Sequence, residues 1–569
     1  GTLILRLQDR LSPGDSALEI EDAGPDGRRR VRRFERLHAR LATLRLSAPR
    51  ERGILADIRA LAFESTDPAL RLTDARGRVL VDGDSLELDL RQLRLPGSAL
   101  AVRGRLRWPR DTVLYGLDVT ADSATLGDFH WIDRRFPATG VLRGRLALRS
   151  RGGRFLEVRV DPLDLLFNGG TLEGRVTALS EAGAGLIAVR DGDLRAADFD
   201  LEFARPFLDT LPFAGRLSGR TVVDGRLSAL ELEADWSYRD SLVEGWPLTT
   251  VRGRGTVDVG DPEGIAFRPF TLEAATVDLG TVRRLLPAFR LWGALDAVGT
   301  LDGPYTNARF DGWLRHRDGD RPPSMVRGGL RLDSRGDTLG VAVDVVADSL
   351  SFDALRGSFP SLPLRGVAAG TVRLAGTLAE LETHADLRRG DGGRVQGDGV
   401  LTLLPPRYGA RDFTLHATDV DLRRWLDDAP ASRLTFTVRG SADVDSGVPP
   451  TGRVTAVLDP SIFAGIALDA GGAQVRLTAS RLELDSLLVH RPGLIASGSG
   501  ALGWHAEAPG AITLNLDADS LSELDSLVAW VAGAGGRAAI SEQAGAGALV
   551  GSARLVVTLT GSLDSLTVA

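Results

Sequence analysis

A short pattern returns six times along the chain and constrains its fold more than any other feature. It reads Ala-Asp or Ala-Thr at the end of an alternating run, followed by a short helix-like stretch. The copies are ADSATLGDF from Ala121, ADFDLEFARPFL from Ala197, ATVDLGTVRRLL from Ala275, ADSLSFDALRGSF from Ala347, ATDVDLRRWL from Ala417 and ADSLSELDSLVAWV from Ala518. Successive copies lie 76, 78, 72, 70 and 101 residues apart, a period near 75 with one long interval. A fixed period means one supersecondary unit stacked on its neighbours, because a single unit cannot bury its own apolar face. A second motif, G-x-L-x-x-L-x-x-x-A, recurs from Gly225, Gly299 and Gly376, and GSLDSLTVA from Gly561 begins it again. The chain is therefore expected to be a fragment that stops inside a unit.

Between the helix-like stretches the residues alternate. Leu86, Leu88 and Leu90 interleave with Glu87, Asp89 and Arg91; Leu434, Phe436 and Val438 with Thr435, Thr437 and Arg439; and Ile512, Leu514 and Leu516 with polar neighbours. Period-two alternation predicts strands with one oily and one wet face, the habit of antiparallel sheets. Gly-rich turns such as RGDGGR and HRDGDRPP suit hairpins. The expected fold is all-β with short helices: an elongated, curled, mainly antiparallel sheet forming an open groove. Each unit is expected to hold about five strands closed by a short helix or crossing loop. Some 35 to 40 strands at about 4.8 Å each give a sheet on the order of 170 Å long. Residues 1–120 form an N-terminal β portion. Residues 121–517 form the repeat array, with units starting near 121, 197, 275, 347 and 417, and 518–569 a short helix, a connector and the start of a further repeat.

The helix-like stretches have local causes. Ser520 and Glu523 stand as a capping pair, with Leu521, Leu524, Val528 and Val531 on one face. Asp421 is placed to cap a turn carrying Leu422, Trp425 and Leu426. Such short helices need a surface to pack against. The Ala/Gly-rich run GAGGRAAISEQAGAGALVG reads as a flexible connector and is expected to account for the long last interval.

Composition narrows the function classes. Net charge is −7 with both signs interleaved, which does not predict a nucleic-acid partner. All 69 basic residues are Arg, which reads as codon bias. The absence of Cys removes disulfides, thiolate catalysis and Cys-ligated zinc. The seven His, at 38, 130, 316, 384, 416, 490 and 505, have no metal-ligand spacing, so no metal, cofactor or catalytic residue is expected. GSGALG from Gly498 matches a nucleotide-loop pattern but reads as a hairpin turn. HRDGDRPP from His316 has too few spaced oxygens for calcium. Arg28, Arg29, Arg30, Arg32 and Arg33 could meet anionic headgroups or form a solvated strand face. No run of 18 apolar residues is present, and a removed targeting segment is expected upstream of Gly1.

The alternating strands, the Gly-x-Leu turns, GGTLEGRVTAL from Gly169, LRLPGSALAVRG and the ADxxLxxL-type helices resemble the AsmA/TamB superfamily over nearly the whole chain. The resemblance implies an envelope protein of diderm bacteria, anchored in the inner membrane, with a repeating β-groove that carries phospholipid across the periplasm. It also implies an outer-membrane barrel partner for TamB-type members. On this reading the protein is not an enzyme. Phospholipid acyl chains are its ligand, and Leu86, Leu88, Leu90, Leu434, Phe436, Val438, Ile512, Leu514 and Leu516 line the groove. Two alternatives stand beside it: an outer-membrane protein assembly factor, and an extracellular β-solenoid that acts as an adhesin or cleaves polysaccharide.

Overall fold

The computed structural model describes residues 4–8, 17–23, 29–46, 53–66, 68–109, 112–207, 211–287, 289–360, 362–403, 407–427, 429–445, 448–505, 509–520, 552–562 and 565–568. The chain forms two compact units, Gly1–Thr281 with Leu301–Tyr305, and Val282–Thr300 with Thr306–Ala569. The fold is all-β, with 35 strands among the described residues and a few short helices.

In the first unit nearly every strand pairs antiparallel with the next in sequence, from Ile4–Gln8 through to Ala266–Asp278. The short strand Ala69–Leu72 folds back on Gly53–Thr66, which also pairs with Asp74–Asp82. The second unit repeats this meander from Asn307–Arg317 to Ser565–Val568. Its one digression is a hairpin, Ser461–Phe463 with Ile466–Leu468, laid on the start of Ser432–Asp445. The sheet is not closed into a barrel. Antiparallel pairing of sequence neighbours also differs from the parallel rungs of a β-solenoid.

The repeat is built of four strands, not five. Between the 3-10 turn Leu126–Phe129 and the next, Leu201–Phe203, lie Val141–Arg151, Phe155–Phe167, Gly170–Glu181 and Gly185–Asp200. Four strands again separate Leu201–Phe203 from the helix Leu279–Leu285, that helix from Phe352–Arg356, and Phe352–Arg356 from Leu422–Trp425. The long last interval has a different cause from the one expected. Ser432–Asp445, Thr451–Leu458, Ala470–Leu477, Arg481–Arg491, Leu494–Gly503 and Gly510–Ala518 make six strands, with the side hairpin added. The Ala/Gly run comes after Ala518 and lies outside the described residues, as do Leu521, Glu523, Leu524, Val528 and Val531.

In four of the six copies the motif proves to be a bulge near the strand end, whereas at Ala518 the strand ends there as expected. Registers slip at Asp122, at Asp198, at Asp348 and at Asp419. Asp198 and Asp419 adopt positive φ of 49° and 51°, a conformation that Asp tolerates better than most residues. The freed amides find new partners: Asp198 N–H donates to Ser218 Oγ at 2.8 Å and Asp419 N–H to Thr435 Oγ1 at 3.2 Å. Each bulge bends the strand and launches the cap that follows.

The Asp421 cap behaves as its sequence predicts, and Ser351, which the sequence pattern did not single out, caps another helix in the same way. Asp421 accepts from Arg423 N–H at 3.2 Å, and Ser351 Oγ accepts from Ala354 N–H at 3.2 Å. Trp425 is buried, donates Nε1–H to the Gly392 carbonyl at 2.7 Å and lies 5.9 Å from the Phe352 ring. With Ala368, Leu387, Ala417 and Val420 these rings form a core between cap and sheet. In the first unit the matching plug is aromatic: Phe203 meets Phe167 and Phe199 edge-on and Phe207 at a tilt, and Phe136 joins Phe207 edge-on.

Candidate functional site: the apolar face

Cross-strand register converts the alternation of single strands into continuous rows. In the second unit one row runs Val345, Val372, Ala385, Gly397, Leu415, Val438, Ala456, Ala473, Leu487, Gly498, Leu514 and Val557, each directly opposite the next. Twelve successive strands thus contribute no polar side chain to it. Eleven of the twelve residues are half-buried and Val345 is fully buried. One step toward the caps runs a second apolar row that includes Ala347, Leu387, Ala417, Phe436 and Leu516. The first unit has its own row: Ala56, Val79, Leu88, Gly104, Leu117, Leu148, Val158, Ala178, Val189, Gly225, Leu230, Val257 and Phe267.

Glycines let large side chains lie flat in these rows. A Cβ on Gly498 would come within 2.6 Å of Leu514 Cδ2, and one on Gly500 within 2.6 Å of the Ile512 backbone, at a φ of +145°. GSGALG is therefore the interior of strand Leu494–Gly503 and not a hairpin turn. Its glycines serve close strand approach.

The opposite face is charged. Asp57, Arg78, Asp89, Arg103 and Asp118 oppose one another in alternating sign on five strands of the first unit. Arg103 holds Asp89 at 3.0 Å, and Arg149 holds Asp118 at 2.5 Å. In the second unit Asp344 opposes Arg373, and His384 opposes Asp398, in one polar row. Guanidinium hydrogen bonds keep carboxylates on these strands acidic: Arg220 lowers Asp193 and Arg394 lowers Asp386. The histidines are used locally. His130 meets the Phe136 carbonyl, His316 the Trp292 carbonyl, His416 the Thr437 hydroxyl, and His384 pairs with Asp398. Asp318 of HRDGDRPP pairs with Arg321. Of the N-terminal arginines, Arg29, Arg30, Arg32 and Arg33 lie on the strand Arg29–Leu46, where the register sets Arg33 opposite Glu19 and Arg30 opposite Asp22; Arg28 lies outside the described residues.

The nine residues expected to line a groove all fall on apolar rows, but they do not share one environment. Leu86, Leu88, Leu90, Val438 and Leu514 are half-buried on the open part of the face. Leu434, Ile512 and Leu516 are fully buried, and Phe436 packs on the core beneath the Trp425 cap. These four already have protein neighbours. Sequence reasoning missed the residues between them, such as Leu415, Ala456 and Leu487, because their membership depends on register. Ala was an available signal: Ala121, Ala275, Ala347, Ala417 and Ala518 of the repeat motif are all buried, and at the first four a small side chain sits where a described cap follows.

Among the described residues no helix is long and apolar enough to cross a membrane. No family model, no curated protein and no solved structure matches this chain.

Proposed function

We propose that the chain is a non-enzymatic conduit or scaffold that moves phospholipid between the inner and outer membranes along its aliphatic face. It would work in the periplasm, within a full-length protein anchored in the inner membrane. The observation that carries this reading is the half-buried row from Val372 to Val557, continuous over eleven strands and free of polar side chains. An acyl chain exposed to water costs about 0.8 kcal/mol per methylene, so a route for it needs unbroken apolar cover. Leu, Val, Ala and Gly supply that cover without a polar site at which the chain would lodge. The AsmA/TamB-like motifs support the same reading.

The test is photocrosslinking in cells from positions Leu415, Val438 and Leu514, with Thr437 and Arg439 of the opposite face as controls, followed by mass spectrometry of the adducts. Phospholipid adducts confined to the first set are expected. Equal labelling of both faces would sink the proposal. Capture of outer-membrane protein strands without lipid would favour the assembly-factor reading instead.

A further inference from the structure

The first unit carries a concavity on the face opposite the apolar rows. Its volume is about 950 Å³, at the upper end of the ~300–1,000 Å³ usual for small-molecule sites. Its floor is a row of direct cross-strand neighbours, Glu173, Arg195, Arg220, Asp235 and Arg252. Alongside run the hydroxyls of Thr171, Ser218, Ser237 and Thr250.

The charges are unevenly engaged. Arg220 forks onto Asp193 with two bonds of 2.9 Å, and Arg252 holds Asp235 at 3.0 and 3.1 Å. Glu173 and Arg195 stand directly opposite each other, yet neither has a hydrogen-bond or ion-pair partner among the described residues. Three guanidiniums thus face three carboxylates, with one gap in the network.

This balance selects a ligand class. An anion would meet Glu173 and Asp235, with Asp193 already holding Arg220, and a cation would meet the three arginines. An apolar ligand would strip water from the ion pairs, a desolvation that contact does not recover. A hydroxyl both donates and accepts, so a ligand bearing hydroxyls can bond a carboxylate and a guanidinium together. Strands repeat every ~4.8 Å across the floor, so an extended ligand would find a fresh polar pair on each. We propose that this cleft binds a neutral polyhydroxylated ligand, an oligosaccharide laid across the strands, with Glu173 and Arg195 as its first contacts. The proposal does not depend on what the apolar face carries.

Isothermal titration and saturation-transfer NMR on the intact chain would test it, with maltohexaose and cellohexaose as probes. A hexagalacturonate and a glucosamine hexamer serve as anionic and cationic counterparts. At least one neutral hexamer is expected to bind, and to bind at least tenfold more weakly to Arg195→Ala and to Glu173→Gln. Neither side chain holds a hydrogen bond or ion pair among the described residues, so both variants should keep the parent circular dichroism, and Arg439→Ala in the second unit should bind as the parent does. Absence of binding by both neutral hexamers at millimolar concentration would overturn the proposal. So would affinity unchanged in the two variants, or tighter binding of the charged hexamers, which would mark a simple ion site.

Discussion

Ala417 and Leu415 lie two residues apart on one strand and point to the same face, yet they belong to different parts of the molecule. Ala417 is 0% exposed beneath the Trp425 cap, whereas Leu415 is half-buried on the open row. The contrast recurs on neighbouring strands of the second unit: Ala347 and Leu387 are buried, while Val372 and Ala385 in the adjoining row are half-buried at the margin of the Trp425 core. Alternation therefore marks a face, but the caps divide that face into a core and a remainder. Only the remainder is available to a ligand without displacing protein.

The sharpest way to break this division is a charge placed on each side of it. Ala417→Asp puts a carboxylate with no partner into the cap core and should cost more than about 4 kcal/mol. Leu415→Asp, half-exposed, should cost about 1–2 kcal/mol while abolishing lipid crosslinking from Val438. Chemical denaturation of both variants decides the matter; equal losses would erase the distinction between the rows. Trp425→Ala removes the cap's ring and its bond to Gly392, for about 3–5 kcal/mol, and should raise the labelling of Ala417 neighbours by water-soluble probes. Asp421→Ala loosens the same cap more gently, by about 1 kcal/mol of unfolding free energy.

The smallest effect belongs to the charged side. Arg335 hydrogen-bonds Asp333 at 2.9 and 2.7 Å and lowers its carboxyl from the usual 3.8 to about 2. Because the folded value lies below the unfolded one, this pair stabilises the fold above pH 3.8 and ceases to do so as pH falls through about 2. Asp333→Asn should lower the Tm slightly at neutral pH, and the gap should close toward pH 2. A gap that persists in acid would show that the side chain acts by shape rather than charge.

Much of the fold was legible because it is written in local signals. Leu86, Leu88 and Leu90 announce a strand, Asp421 and Trp425 announce a cap, and the 75-residue period announces a repeated unit. The number of strands per unit was not legible, and the reason is visible in Gly185–Asp200. This 16-residue strand contains register slips between Val189 and Gly192 and between Ala196 and Phe199, with positive φ at Asp191 and Asp198. Each slip inverts the alternation, so one bent strand reads as two short ones. Arg407–Val420 is broken in the same way at Asp412 and Asp419. The apolar rows were partly legible: alternation places Val438 and Leu514 on an oily face, but only cross-strand register joins them through Ala456, Ala473, Leu487 and Gly498. The charged cleft was not legible, since Glu173 and Arg252 are 79 residues apart and meet only through the strands between them.

The meander has a consequence for how such a chain comes into being. Nearly every strand finds its partner in the strand just before it, so no segment must wait for a distant one to be made. Loop closure is short at each step, which favours rapid pairing. A polypeptide emerging N-terminus first from a ribosome or a translocation pore can therefore zip up in the order in which it appears. At every stage it offers a single growing edge, and the next strand to arrive is the one that covers it.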